Sequence, residues 1–454
     1  MDFWIRAAQL ILSLSILIVV HEFGHFIPAR IFKIRVEKFY LFFDPWFSLF
    51  KKKVGDTEWG IGWLPLGGYV KIAGMVDESM DKEQMALPPK EDEFRSKPAW
   101  QRLIVMLGGV TVNVIVGFFI YILVIFGYGK DVVTNDNLPY GVAVHPEIKK
   151  LNLGFEDGDK LIAIDGEPIE NIREVRIQLW LRGKRSIEVE HANGEKETIV
   201  FPETIGEGEN AEDFDRWLFT TDAINSFSPR TLPIVDSNLL EIPSNDSKNS
   251  LGRLLTGDQI LAINGENTPY YHDLTYVLRN YADTVVPVSI LRENDTVVEG
   301  LRIYKDHTLG FQLTSQFDYT HLDYSFGEAI SAGFEKGWNT MGDYAGQLKY
   351  LFTKKGASSM GGFGAIGKMF PTTWDWQAFW LNTAFISLVL AIMNILPIPA
   401  LDGGHVVFLI YEIITGKEAP QKVLEYAQLV GFVLLLSLLL YANGNDVVKA
   451  IFGN

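Results

Sequence analysis

In "IVVHEFGHFIPARIF" (residues 18–32), His21 and His25 stand four residues apart with Glu22 between them. The H-E-x-x-H spacing puts both imidazoles on one helix face, where they can bind one zinc ion. Glu22 then sits where it can take a proton from water on that metal. A catalytic zinc has three protein ligands and one open position, so one ligand is missing. The chain has no cysteine, which leaves His, Asp or Glu. Asp402 and His405, in "PIPALDGGHVV", close a late apolar run. The other histidines (His145, His191, His272, His307 and His321) belong to the polar middle of the chain. Asp402 is the favoured third ligand. Gly403-Gly404 allows close backbone approach there, and Pro397 and Pro399 break the helix. His405 is expected beside the site or at an interface.

The cluster interrupts an apolar run, and charged side chains inside a membrane cost several kcal/mol unless paired or used. The 454 residues are 48% hydrophobic with a mean hydropathy of +0.11, yet 21% are charged. Polar domains must therefore alternate with membrane segments. Four runs approach spanning length: Trp4–Phe32, Leu103–Tyr128, Phe379–Leu401 and Val423–Tyr441. The second and third carry no charge, and the fourth only Glu425. Arg6 followed by Ala7–Val20 imitates a signal peptide, but no small-x-small cleavage site follows, so an uncleaved helix is expected.

Lys and Arg in short loops set orientation. Thirteen of them, from Arg30 to Arg102 and including Lys82, lie between the first two runs, which places that loop in the cytoplasm. The N-terminus and residues 130–375 then lie outside. The net charge of −16 is concentrated in residues 130–325, which hold 18 Lys/Arg and 34 Asp/Glu. So acidic a block argues against nucleic acid as a partner. His21 falls about 20 Å along a helix that starts near Ala7, about two-thirds of the way across a 30 Å core. Asp402 ends a run that travels from outside to inside, so both motifs reach one level toward the cytoplasm.

The outer block repeats itself. "LGFEDGDKLIAIDGEPI" (153–169) matches "GRLLTGDQILAINGENT" (252–268), aligning Gly158-Asp159 with Gly257-Asp258 and Asp165-Gly166 with Asn264-Gly265. Each copy reads as a turn, a short buried strand and a two-residue hairpin turn that needs positive φ. The pattern resembles the PDZ domain, which implies two tandem copies at about 131–221 and 222–315. They are expected to act as a gate or to bind extended peptide ends. Between 316 and 376, Ile330, Phe334, Trp338, Met341, Ala345, Leu348 and Phe352 recur at helical spacing, as in an amphipathic membrane-associated helix.

HEFGH in a first membrane helix, "NILPIPALDGGH" in a later one and PDZ domains between them resemble the site-2 protease family of intramembrane zinc metalloproteases. Two PDZ domains in a four-helix chain resemble most its bacterial sigma-E-regulating branch. The implied fold is a polytopic α-helical membrane protein, four transmembrane helices with two inserted extracytoplasmic PDZ (α+β) domains. Its parts are a first helix over 1–32, a cytoplasmic loop over 33–102 and a second helix over 103–129. After the PDZ pair come the amphipathic segment, a third helix over 377–403 with the L-D-G motif, and a fourth over 423–444. The resemblance implies one Zn2+ on His21, His25 and Asp402, with Glu22 as catalytic base. It implies substrate handling by Asn394, Pro397 and Pro399. "WGIGWLPLGGYVKIAGM" (59–75) looks like the family's membrane-dipping β-hairpin, whose edge around Gly67 and Gly68 would receive an unwound substrate. Gly109–Asn113 lacks the proline common in the family's second helix, which bears on a kink there.

The implied activity is zinc-dependent cleavage of single-span membrane proteins. These would be of the anti-sigma-factor type after a first periplasmic cut, with signal-peptide remnants as further substrates. The PDZ pair would filter by size. The implied location is the bacterial inner membrane, with the N-terminus and PDZ pair periplasmic and the lipid bilayer as surroundings. The alternative is a non-enzymatic PDZ scaffold with a structural metal, which has no need of Glu22. A zinc-dependent transporter would require repeated broken helices.

Overall fold

The computed structural model describes residues 2–65, 67–75, 88–208, 211–235, 254–311, 317–351 and 353–452. Lys82 of the basic loop, Phe352 of the amphipathic stripe, and residues 236–253 and 312–315 of the second repeat domain lie outside them. The chain divides into two units, Met1–Gly129 with Asp323–Asn454, and Lys130–Leu322.

In the first unit, α1 (Asp2–Ile31) runs unbroken through the His21–His25 cluster. A four-stranded sheet follows: β1 (Val36–Leu41), β2 (Phe43–Val54), β3 (Thr57–Leu64) and β4 (Tyr69–Ile72), in the order β2-β3-β1-β4. The hairpin expected over 59–75 is not formed. β3 and β4 lie on opposite sides of β1, β3 parallel to it and β4 antiparallel. The hairpin is instead β2–β3, turning at Gly55 with φ +62°. Trp46, Phe47, Leu49 and Phe50 on β2 are exposed aromatic and aliphatic side chains, suited to lipid rather than water. β4 is an edge strand.

Helix α2 (Ala99–Tyr128) continues straight through Gly109–Asn113 without proline. It crosses α1 where glycine meets glycine: a Cβ on Gly24 would lie 2.4 Å from the Gly108 carbonyl oxygen. Without a hydrophobic drive between helices in lipid, such small-residue contacts and interhelical hydrogen bonds hold a bundle together. Helix α3 (Phe326–Gln347) starts at a capping box of Ser325 and Glu328. It packs on α2 through Ala329, Gly333 and Gly337, while Ile330, Phe334 and Trp338 are exposed. Of the apolar ridge read from the sequence, Ile330 and Trp338 face outward, while Phe334 meets the Phe118 ring of α2 at 4.8 Å and Met341 packs into the same α2 cluster.

Helix α4 (Trp376–Ile395) is capped by Asp375, which accepts from the Ala378 N–H. Hydrogen bonds tie it into the bundle: Thr383 donates to Ser13 of α1 at 2.9 Å, and Ser387 to the Asn113 carbonyl of α2 at 2.7 Å. The helix expected over 377–403 ends early. Pro397 and Pro399 cannot donate to a helical ladder, so the chain unwinds after Ile395, and Asp402 opens a separate helix, α5 (Asp402–Thr415). α5 is anchored to α2 by a partly buried ion pair between Arg102 and Glu412. Helix α6 (Gln421–Phe452) follows. By length and composition α1, α2, α4 and α6 can each cross a membrane.

The second unit holds two four-stranded sheets. The first contains β5 (Lys160–Ile164), β6 (Glu167–Pro168), β7 (Ser186–Glu190) and β8 (Lys196–Val200) in the order β8-β7-β5-β6, with a helix at Ile172–Leu181. The second contains β9 (Gln259–Ile263), β10 (Glu266–Asn267), β11 (Thr284–Arg292) and β12 (Asp295–Ile303) in the order β10-β9-β11-β12, with a helix at Tyr271–Leu278. The repeated motif occupies equivalent places. Asp165-Gly166 and Asn264-Gly265 join β5 to β6 and β9 to β10 with φ of +48°, +79°, +49° and +82°. The repeated aspartates, Asp159 and Asp258, are buried and each caps its own turn, accepting from the Glu156 and Leu255 N–H groups. Each also meets a basic side chain, His191 for one and Arg292 for the other. Burial pushes the Asp258 carboxyl up, but Arg292 and the Leu255 N–H outweigh it and hold it below its ordinary range.

Candidate metal centre

α1 carries His21 and His25 on one face, and the unwound turn before α5 delivers Asp402 opposite them. The Nε2 atoms of His21 and His25 are 3.2 Å apart, and each is 3.4 Å from Asp402 Oδ2. A tetrahedral zinc with bonds of about 2 Å holds its ligand atoms about 3.3 Å apart, so the triangle has the right size.

The hydrogen bonds around the triangle show the same fit. His25 Nδ1 donates to the Val105 carbonyl at 2.8 Å, which leaves Nε2 as a lone pair pointing into the site. If His21 Nε2 is likewise a lone pair, the two nitrogens 3.2 Å apart repel each other unless a cation lies between them. Asp402 Oδ2 is buried without a hydrogen-bond partner, a costly state that a cation relieves. On the far side of His21, Asn113 lies fully buried with its amide 3.3 Å from Nδ1 and its Oδ1 unpartnered. Turning that amide over puts Oδ1 on the His21 Nδ1–H. This satisfies the buried oxygen and again frees Nε2.

Space for an ion is made by α2. A Cβ on Gly109 would lie 2.4 Å from His25 Nε2 and 2.6 Å from His21 Cε1, so any larger residue would fill the site. The triangle opens on a cavity of about 560 Å³ lined by Glu22, Gly67, Gly68, Asn394, His405 and the β4 residues Tyr69 to Ile72. Gly68 is needed for close approach, since a Cβ there would lie 2.5 Å from Ile18 Cγ2 and 3.6 Å from Glu22 Cγ. A second cavity of about 310 Å³, lined by Arg102, Pro399 and Glu412, shares His405 and Gln428 with the first.

The structure thus brings together His21, Glu22, His25, Asp402, Gly67, Gly68 and Asn394. Pro399 packs behind the site, against Gly404 and Gly431, and Pro397 lies in the turn without lining the larger cavity. Asn113, Gly109 and Gln428 also shape the site. Asn113 carried a signal, being a polar side chain inside a charge-free apolar run, whereas Gly109 carried none beyond its place in a Gly-Gly pair.

A sequence model described as peptidase family M50 matches residues 9–438. The chain is 27% identical over 467 residues to a putative zinc metalloprotease of Vibrio cholerae, covering 97% of both chains. It is 26% identical over 484 residues to the regulator of sigma E protease of Haemophilus influenzae, covering 99% of this chain and 100% of that one. It is 25% identical over 430 residues to a putative zinc metalloprotease of Borreliella burgdorferi, covering 91% of each.

Proposed function

The chain belongs to peptidase family M50, the site-2 protease family, and is an intramembrane zinc metalloprotease; on that premise we propose that it cleaves the spanning segments of single-span membrane proteins. His21, His25 and Asp402 hold one zinc ion, and Glu22 is the catalytic base. The observation that carries this reading is the triangle of 3.2, 3.4 and 3.4 Å between ligand atoms, opening on a cavity that Glu22 also lines.

Zinc, when bound, supplies a Lewis acid that acidifies water and polarises the scissile carbonyl. Glu22 takes the proton of the attacking water and returns it to the leaving amine nitrogen. The Val105 carbonyl holds His25, and Asn113 with its amide turned over would hold His21, in the tautomer that binds metal.

A helical substrate hides its carbonyls in its own hydrogen bonds. β4 offers a remedy, because it is an edge strand whose residues line the cavity. A substrate segment that unwinds can add to this edge as a strand, with Gly67 and Gly68 letting it pass close to Glu22. Asn394 faces the same cavity from the end of α4, and Pro397 and Pro399 keep the following turn unwound.

The relative in Haemophilus influenzae is named for regulation of sigma E. By that likeness the substrate is an anti-sigma-factor type of protein already trimmed outside the membrane, with signal-peptide remnants as further substrates. The two repeats of the second unit are PDZ domains that exclude untrimmed substrates by size. The protein sits in the bacterial inner membrane, the repeats and N-terminus periplasmic and the metal centre toward the cytoplasm. The test is metal analysis of the purified full chain together with incubation of a single-span reporter in detergent. One zinc per chain and a cut within the spanning segment are expected; an intact reporter with zinc bound would contradict the proposal.

A further inference from the structure

We propose that Gln428 of α6 is a positioning residue for Asp402, acting through the backbone of Ala400. The proposal rests on the reading of Asp402 as a zinc ligand.

Ala400 has φ +78°, a left-handed conformation that a residue with a Cβ adopts only when its surroundings impose it. It follows Pro399, which has no N–H, and its own N–H donates to Gln428 Oε1 at 3.2 Å. Neighbouring donors in the turn are satisfied locally: Ile398 N–H bonds the Leu396 carbonyl, and Leu401 N–H the Ile398 carbonyl. The Ala400 N–H instead reaches across to another helix. A buried N–H left unmade is costly, so without Gln428 the peptide gains by turning toward another acceptor. Asp402 is two residues further on, and its Oδ2 would move with it.

α6 is built to make this contact. Most of the helix is exposed, Val430 and Leu434 among its outward residues, yet Gln428 is only 7% exposed. One turn later Gly431 lets the helix backbone touch the same loop, since a Cβ there would lie 1.7 Å from the Pro399 carbonyl oxygen. Gln428 also stands in the wall shared by the two cavities, beside the larger one that contains Asp402. A glutamine buried on a spanning helix that is mostly exposed has a use here that packing alone does not supply.

The experiment compares full-length Gln428→Leu, Gln428→Glu, Ala400→Gly and the Gln428→Leu/Ala400→Gly pair with the parent. Three quantities are measured: the rate of zinc loss to a chelator, the visible spectrum of the cobalt-substituted protein, and kcat and KM on a single-span reporter. Gln428→Leu is expected to lose zinc about tenfold faster, as when partners behind a metal ligand are removed. It should also shift the cobalt bands and lower kcat with KM kept. Gln428→Glu retains an acceptor oxygen and should stay near the parent. Glycine adopts φ +78° freely, so Ala400→Gly should recover most of the Gln428→Leu defect. A Gln428→Leu protein with parental zinc loss and cobalt spectrum overturns the proposal. So does a defect that neither Gln428→Glu nor Ala400→Gly repairs, which would mean that Gln428 only packs α6. Asp402→Asn is run alongside. If it leaves the cobalt spectrum unchanged, the ligand reading itself fails. If it changes the spectrum while Gln428→Leu does not, only the role of Gln428 fails.

Discussion

His21 Nε2 and Asp402 Oδ2 face each other across 3.4 Å, one from the middle of the first helix and the other from the first residue of the fifth. The proposed zinc site therefore depends on distant parts of the chain brought together by the bundle, and each proposed ligand is expected to be separately required. Asp402→Asn keeps the shape but replaces a charged oxygen with a weaker ligand. We expect it to lower zinc affinity by about 10- to 100-fold or more while the helices stay folded. Competition with a chelator, read beside the helical circular dichroism, checks this. Parental affinity would remove Asp402 from the site.

Gly109 gives a test that touches no ligand. Gly109→Ala places a methyl group 2.4 Å from His25 Nε2, a distance that real contacts do not tolerate. Zinc content should fall well below one per chain. Gly127→Ala, in the same helix but with nothing within 4 Å, should leave zinc content and activity unchanged. Mass-spectrometric metal analysis separates the two, and equal zinc in both would show that α2 does not bound the site.

The pairing of His21 and His25 on one face of α1 was legible because H-E-x-x-H is local: the four-residue spacing on one helix fixes it. Asp402 was legible as a residue type but not as a position. The prolines that mark the break also end α4 at Ile395 and move Asp402 into a new helix. The β-sheet was misread for a different reason. Apolar alternation over 59–75 does not reveal that β1, from earlier in the chain, pairs between β3 and β4. The stripe of α3 was legible as an amphipathic membrane-associated helix, and Ile330 and Trp338 do turn outward; the small residues Gly333 and Gly337, which meet α2, carried no apolar signal. The hairpin turns Asp165-Gly166 and Asn264-Gly265 were readable because positive φ restricts residue choice so strongly.

The two repeats meet at Asp157, which accepts from His272 at 3.1 Å and from Lys149 at 2.6 Å, with the Val144 N–H on its other oxygen at 2.8 Å. Burial pushes the Asp157 carboxyl up, but the bonds from His272, Lys149 and the Val144 N–H outweigh it and hold it well below the carboxylate range. A carboxylate depressed in the folded state stabilises above its unfolded pKa, near about 4, and loses that contribution as pH falls toward the folded value. Stability from this group should thus be level from neutral pH down to about 5 and decline below about 4. Asp157→Asn should cost about 1 kcal/mol at neutral pH, solvent screening keeping the figure small, and should flatten the acid slope. Hydrogen exchange of the second unit in the full chain, followed against pH, measures it. An unchanged slope would contradict the assignment.

Size filtering by the repeats predicts a gain of function. Deleting residues 131–315 should let the enzyme cut a single-span reporter that still carries its full outer domain, while the rate on a trimmed reporter changes little. Fragment analysis on gels reads both. If the deletion still discriminates between the two reporters, the filter lies elsewhere in the chain.

The central claim is that Glu22 moves protons at a zinc held by its neighbours, and Glu22→Gln isolates that role. The variant keeps the size of the side chain and leaves His21, His25 and Asp402 in place. Zinc content and cleavage of a trimmed single-span reporter, measured on one purified preparation, decide the question. The account predicts about one zinc per chain and a rate reduced at least 100-fold, in the range of a lost general base. Cleavage at the parental rate with zinc bound would contradict it.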